Sequence, residues 1–186
     1  MLVVTGSGEH SRFGHTLGSV VSDVYSADHQ DASAERIEYP AVSVTSPEIV
    51  EYNWSVSSGV HALMDRFKSF IAQCGSTPLF LLGYSQGAQV VGDAYLHEMD
   101  APYQAHVTGV VLLGDPEFWG GQNAPVAVGT YNPFLNGIAT SVYPSSPLHK
   151  WPAAIAGKVR SYCIEDDPVC SFTAKNAVGC WLPVPT

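Results

Sequence analysis

The chain has 186 residues, 46% of them hydrophobic and 13% charged, with a formal net charge of −9. That is the length of one domain with enough apolar mass for a single core. The acidic balance argues against an electrostatic nucleic-acid or anionic-membrane binder, and no run of about 18 apolar residues is present to span a bilayer.

In chain order, Leu2 to Thr5 reads as a short apolar strand. It ends in Gly6-Ser7-Gly8, a loop flexible enough to aim backbone N–H groups at a ligand. His15 to Tyr25 is helix-compatible, with Leu17, Val20, Val21 and Val24 at helical spacing. A brief strand runs from Arg36 to Tyr39, where Pro40 stops it, and 41–54 reads as surface loop. Val56 to Cys74 places Val56, Val60, Leu63, Met64, Phe67 and Ile71 on one face of an amphipathic helix, which Gly75 ends.

Leu79 to Leu82 is fully apolar, and a helix is expected from Gln86 to about Met99. Val107 to Leu113 is another largely apolar run, ending in Gly114-Asp115-Pro116, and Val159 to Tyr162 is a weaker fifth strand. Between them, Glu117 to Gly157 breaks the alternation and is rich in Gly, Pro and aromatics: Phe118, Trp119, Tyr131, Phe134, Tyr143 and Trp151. So long an irregular connection is usually functional or mobile. Its aromatics either wall an apolar groove or plug the end of the domain.

Strands alternating with helices, the central strands near-continuously apolar, predict a single α/β domain over 1–186. The expected architecture is a three-layer α/β/α sandwich around a mostly parallel five-stranded sheet. Ligands bind such sheets at the carboxyl ends of the strands.

At the centre of the chain stands Gly83-Tyr84-Ser85-Gln86-Gly87, a GxSxG pentapeptide. Three fixed positions recur by chance in roughly one chain of this length in twenty, so the pattern alone is weak. Its setting carries the weight: a buried strand before and a helix after are what a nucleophile elbow requires. The turn is sharp enough that the positions two before and two after the serine must be small, as Gly83 and Gly87 are. Ser85 is then expected strained and exposed, at a helix N-terminus whose dipole favours negative charge.

Four cysteines occur, at 74, 163, 170 and 180. Cys163 and Cys170 bracket a short loop turned by Pro168, and a bridge between them fits an oxidising compartment. Cys74 and Cys180 either pair with each other or have lost partners beyond the chain's ends. No His or Cys set at convincing metal-ligand spacing is visible, and no metal or cofactor is expected. A serine hydroxyl needs a base to take its proton and a carboxylate to orient that base. In α/β-hydrolases the order is Ser, acid, His, with the acid after a late strand, where Asp167 lies.

With these residues in hand, the chain resembles the cutinase family of serine esterases. The matching pieces are Gly83-Tyr84-Ser85-Gln86-Gly87-Ala88, the loop from Cys163 through Glu165-Asp166-Asp167 to Cys170, Gly114-Asp115-Pro116, and Thr5-Gly6-Ser7-Gly8-Glu9. The resemblance implies Ser85 as nucleophile, Asp167 as triad acid, and an oxyanion hole from the backbone N–H groups of Ser7 and Gln86, assisted by the Ser7 hydroxyl. It further implies a secreted, monomeric, cofactor-independent carboxylesterase acting on esters of apolar polymers or lipids. The lysin B esterases, which cleave mycolic esters, are a close rival, and acetylxylan esterase activity is a further possibility.

Two departures stand out. No histidine follows His149, whereas the family's base lies shortly past the second loop cysteine; the family's amino-terminal cysteine, which bridges to the position of Cys74, is also absent. Both ends look clipped. The expectation is that the natural protein continues past Thr186 and supplies the base, or that the chain is a binding domain that lost it. His149 and His10 read as ordinary surface histidines, Asp115 as part of an Asp-Pro turn ending a strand, and Glu165 and Asp166 as solvated.

Overall fold

The computed structural model of the protein describes residues 1–27, 31–44, 50–122, 125–142 and 147–176. Its elements, in order, are β1 (Leu2–Val4), α1 (Thr16–Ala27), β2 (Glu35–Arg36), α2 (Tyr52–Cys74) and β3 (Leu79–Tyr84). After these come α3 (Gln86–Asp93), a π-helical turn (Ala94–Glu98), α4 (Ala101–His106), β4 (Val107–Leu113), β5 (Ala127–Val128), α5 (Ala139–Val142), α6 (Ala153–Ala156) and β6 (Val159–Tyr162).

The strands form one sheet in the order β2-β1-β3-β4-β6-β5, and every pairing is parallel. Side chains alternate across it with the period of two that a pleated strand imposes. Leu2, Val4, Leu79, Leu81, Val110 and Leu112 face one side, where Val56, Val60, Leu63 and Phe67 of α2 and Val90 and Val91 of α3 cover them. Val3 and Leu82 face the other side and meet Leu17 and Val21 of α1 and Phe13. Burying each such side chain stabilises the fold by roughly 1.5–3 kcal/mol, which is why the amphipathic faces of α1 and α2 settle there.

The sheet has six strands rather than the expected five. The additional strand is the two-residue β5, which pairs Ala127 with Ser161 and Val128 with Tyr162 inside the irregular segment. Two residues are too few to carry a periodic signal. The expected Gln86–Met99 helix also differs, because α3 stops at Asp93 and Met99 N–H reaches back to Ala94 O in the wider spacing of a π turn. Helix α2 starts earlier than Val56, with Tyr52 and Ser55 already buried, so the supposed surface loop ends sooner.

Register matters most for function. Val4 pairs with Gly83, Tyr84 with Leu113, and Leu113 with Tyr162, so the carboxyl ends of β1, β3, β4 and β6 lie level. The four loops that follow those strands therefore share one edge.

Candidate active site

Ser85 is the sharp turn between β3 and α3, at φ 52° and ψ −122°. A non-glycine residue held there stores roughly 1–3 kcal/mol of strain, so its surroundings must enforce it. They do: Ser85 N–H donates to Leu113 O at 2.9 Å, and Ser85 C=O accepts from the N–H groups of Ala88 and Gln89. A methyl at Gly87 would strike the carbonyl oxygens of Val4 and Thr5, and one at Gly83 would lie 2.7 Å from Ala88 Cα. Both glycines are thus fixed by close backbone approach. Ser85 is half-buried, and its hydroxyl makes no hydrogen bond among the described residues. The leading N–H groups of α3, Gln86 included, have no intrahelical acceptor.

The loop after β1 lies against the elbow, for a Cβ at Gly6 would sit 3.3 Å from Ser85 Cβ. Glu9 holds this loop, its carboxylate accepting from Gly6 N at 2.9 Å and His15 N at 3.0 Å. Thr5 Oγ1 donates to Glu9 O at 3.0 Å, Gly8 N to Ala41 O at 2.7 Å, and the Tyr39 hydroxyl to Thr5 O at 2.6 Å. Burial, with the nearby Glu9 charge, pushes the Tyr39 phenol far above its ordinary range and keeps it a donor. Within this braced loop the Ser7 hydroxyl is buried and has no hydrogen-bond partner among the described residues. The Gln86 side chain is wholly buried and accepts from Ser55 Oγ at 3.0 Å, so what Gln86 offers the edge is backbone.

Cys163 and Cys170 are joined by a disulfide, with their Cα atoms 5.8 Å apart. Inside that ring Asp167 Oδ1 accepts from Val169 N at 2.7 Å and Cys170 N at 3.0 Å. Its second oxygen lies 3.7 Å from the Cβ position of Gly114, over the end of β4. Asp167 is half-buried, while Glu165 and Asp166 are exposed as expected. The structure thus brings Ser7, Ser85, Gln86 and Asp167 to one sheet edge. Among the described residues no histidine hydrogen-bonds Ser85 or Asp167. His10 is exposed, and its carbonyl accepts from Arg36 at 2.7 Å.

His149 corrects the sequence reading. It is buried, 1% exposed, under α3, and so is Asp115. Asp115 Oδ2 lies 2.6 Å from His149 Nδ1, and its Oδ1 accepts from Glu117 N at 2.9 Å. His149 Nε2 meets Glu117 Oε2 at 3.1 Å and Asp93 Oδ1 at 3.4 Å. Gln89 extends the network, receiving from the Tyr52 hydroxyl and donating to Glu117 Oε1, both at 2.9 Å. Gly92 admits the imidazole, whose atoms occupy the place of any side chain there. Asp115 is therefore more than the end of a strand: it orients a buried ring.

Burial alone would lower the His149 pKa, but the charge and hydrogen bond of Asp115, the Asp93 hydrogen bond and the Glu117 charge outweigh it and raise the value to about 10. A folded-state value above the ordinary 6.5 means that this contribution is complete below pH 6.5 and is lost as pH climbs towards 10. Urea unfolding in chelator-containing buffer should accordingly show stability falling across that window; a flat profile would contradict the charged imidazole.

The aromatics divide. Phe118 and Trp151 are buried, Phe118 against Ala127 and the Cys163–Cys170 bridge and Trp151 in the main core, its ring centroid 5.7 Å from that of His149 and 6.1 Å from that of Tyr95. Phe134, by contrast, is 90% exposed. Its segment is tied to the acid loop through Ile138 N to Val169 O and Phe172 N to Asn136 O. Tyr143 and Cys180 lie outside the described residues, and Cys74 is an exposed free thiol. No helix among the described residues is long and apolar enough to cross a membrane.

A family profile for cutinase matches residues 1–179. Acetylxylan esterase 2 of Talaromyces purpureogenus is 31% identical over 167 residues, covering 82% of this chain and 66% of that protein. Cutinase 11 of Verticillium dahliae is 29% identical over 177 residues, covering 88% of this chain and 56% of the relative. This chain thus spans between about half and two thirds of the length of such relatives. The catalytic core domain of acetyl xylan esterase from Trichoderma reesei superposes with a TM-score of 0.75 at 25% identity, over 96% of this chain and 90% of that one. Lysin B from mycobacteriophage D29 shares the fold, with a TM-score of 0.66 at 21% identity, over 94% and 68% of the two chains.

Proposed function

Because the chain belongs to the cutinase family, we propose that it hydrolyses carboxylic esters through an acyl-enzyme formed on Ser85. The observation that carries this reading is a strained, half-buried serine beside a braced loop whose Ser7 hydroxyl is buried without a hydrogen-bond partner among the described residues. A hydroxyl left so in the resting protein is poised for an oxygen that arrives with substrate.

In the proposed reaction Ser85 Oγ attacks the ester carbonyl carbon, and the carbonyl oxygen takes up the negative charge. The N–H groups of Ser7 and Gln86, with the Ser7 hydroxyl, receive that oxyanion in a geometry set before substrate binds. The C–O bond to the alcohol then breaks, the alcohol leaves with the proton taken from Ser85, and water repeats the attack to free the acid. An imidazole between Ser85 and the outward oxygen of Asp167 is required to carry that proton. Asp167 suits the role because its other oxygen is already held by Val169 and Cys170.

The acyl side is proposed to be apolar, supported by exposed Ile164 within the acid loop and exposed Phe134 in the segment tied to it. Acetylated xylan is the alternative that the Talaromyces relative's name suggests. Secretion is part of the proposal and rests on the Cys163–Cys170 bridge. A second reading, a binding domain without turnover, is supported by the described residues, among which no histidine hydrogen-bonds Ser85 or Asp167.

A fluorophosphonate probe separates the two. Labelling of the folded chain that peptide mapping assigns to Ser85 supports the esterase; an unlabelled folded chain supports the binding domain. Ser7→Ala should lower turnover of a p-nitrophenyl ester roughly a hundredfold with little change in KM, since the hydroxyl serves the transition state.

A further inference from the structure

We infer that the cleft between α2 and α3 leads to a divalent transition-metal site whose ligands are His149 Nε2 and carboxylate oxygens of Asp93 and Glu117. The inference does not rest on the esterase reading. Asp93 ends α3, eight residues from Ser85, and at 1.5 Å per residue it stands about 12 Å from the elbow.

Three observations converge. The first is geometry: Nε2 lies 3.1 Å from Glu117 Oε2 and 3.4 Å from Asp93 Oδ1, and one ligand atom from each residue lies within 4.8 Å of the others. Ligand bonds of about 2.1 Å in a tetrahedral site put neighbouring ligand atoms about 3.4 Å apart, so an ion fits among these three atoms. The second is orientation: Asp115 Oδ2, at 2.6 Å, fixes the opposite ring nitrogen, leaving Nε2 turned to the two carboxylates. Metal-binding histidines are held in this way by a carboxylate behind them.

The third is access and charge. A cleft of about 390 Å³ opens on Asp93 and Glu117, and its other walls include His61, His97 and Glu98 but, among the described residues, no lysine or arginine. Three carboxylates surround one imidazole. A divalent cation entering from the cleft displaces the Nε2 proton to solvent and keeps a fourth position for water. One nitrogen and two oxygens select zinc-like ions over calcium or magnesium, which take all-oxygen shells. The π-helical turn that begins directly after Asp93 belongs to the same feature, since such turns recur at functional sites.

The test is calorimetric titration of the EDTA-treated, dialysed chain with zinc chloride, beside calcium chloride. One equivalent of zinc should bind with micromolar or tighter affinity, raise the melting temperature and leave calcium unbound. Asp93→Asn and Glu117→Gln should each weaken zinc at least tenfold in protein whose circular dichroism in EDTA matches the parent. Ser85→Ala should bind zinc like the parent, which separates this site from the ester chemistry. Absence of stoichiometric zinc uptake, uptake indifferent to both carboxamide variants, or equal uptake of calcium would overturn the inference.

Discussion

Ser85→Ala should cut hydrolysis of a short-chain p-nitrophenyl ester to the residual rate that the oxyanion hole and binding alone support, ~10³–10⁴ over water. With the imidazole that the proposed mechanism requires in place, losing the nucleophile removes around a millionfold in turnover, so the loss is expected to exceed any other single change at this edge. The variant should stay folded. Ser85 contributes its backbone to the elbow through the bonds to Leu113, Ala88 and Gln89, and alanine keeps all three. Thermal unfolding of the variant beside the parent checks this, and the ester assay is read only against folded protein. Equal rates for the two proteins would remove the acyl-enzyme mechanism outright. A large loss in the parent's favour would place the chemistry on this hydroxyl.

The largest effect on stability is expected from Asp115→Ala. The carboxylate is wholly buried and joins two partners, the His149 ring and the Glu117 amide. Removing one partner of a buried ion pair costs about 3–5 kcal/mol, because the other charge stays buried without compensation. For a chain of this length that corresponds to a fall of roughly 6–20 °C in Tm. Asp115→Asn keeps an oxygen of the same shape and should lose less. Scanning calorimetry of both variants decides the matter: an alanine variant melting with the parent would show that the ring does not depend on Asp115. His149, which joins Asp93 at the end of α3 to Glu117 beyond β4, would transmit the loss to both elements.

The edge that gathers Ser85, Gln86, Ser7 and Asp167 was legible because its signals are local. Gly83 and Gly87 flank Ser85 within five residues, and Cys163 and Cys170 frame Asp167 within eight, so steric need is written into neighbouring letters. The apolar runs of β3 and β4 set the sheet for the same reason. The His149 cluster has no such local trace. Its members stand at 93, 115, 117 and 149 and meet only because β4 runs beside β3 under α3. One clue existed: Gln89 and Asp93 recur at i and i+4 on a helix whose other residues, Gln86 apart, are apolar or small, and polar residues on such a face imply a buried partner. Gly92 beside them marked the place of the ring, but nothing in the sequence named the ring. The two-residue β5 and the π turn were likewise invisible, since neither spans a full period of any pattern.

The two outermost strands, β2 and β5, are two residues each. Unpaired edges invite another chain to dock by backbone pairing, and very short, charged margins are one way natural sheets discourage it. β2 consists of Glu35 and Arg36, and Glu35 is further held by Arg66 at 2.6 Å. Lateral growth into fibrils or swapped dimers is therefore discouraged by design at the flanks, and lengthening either margin with β-branched residues would open a route to aggregation.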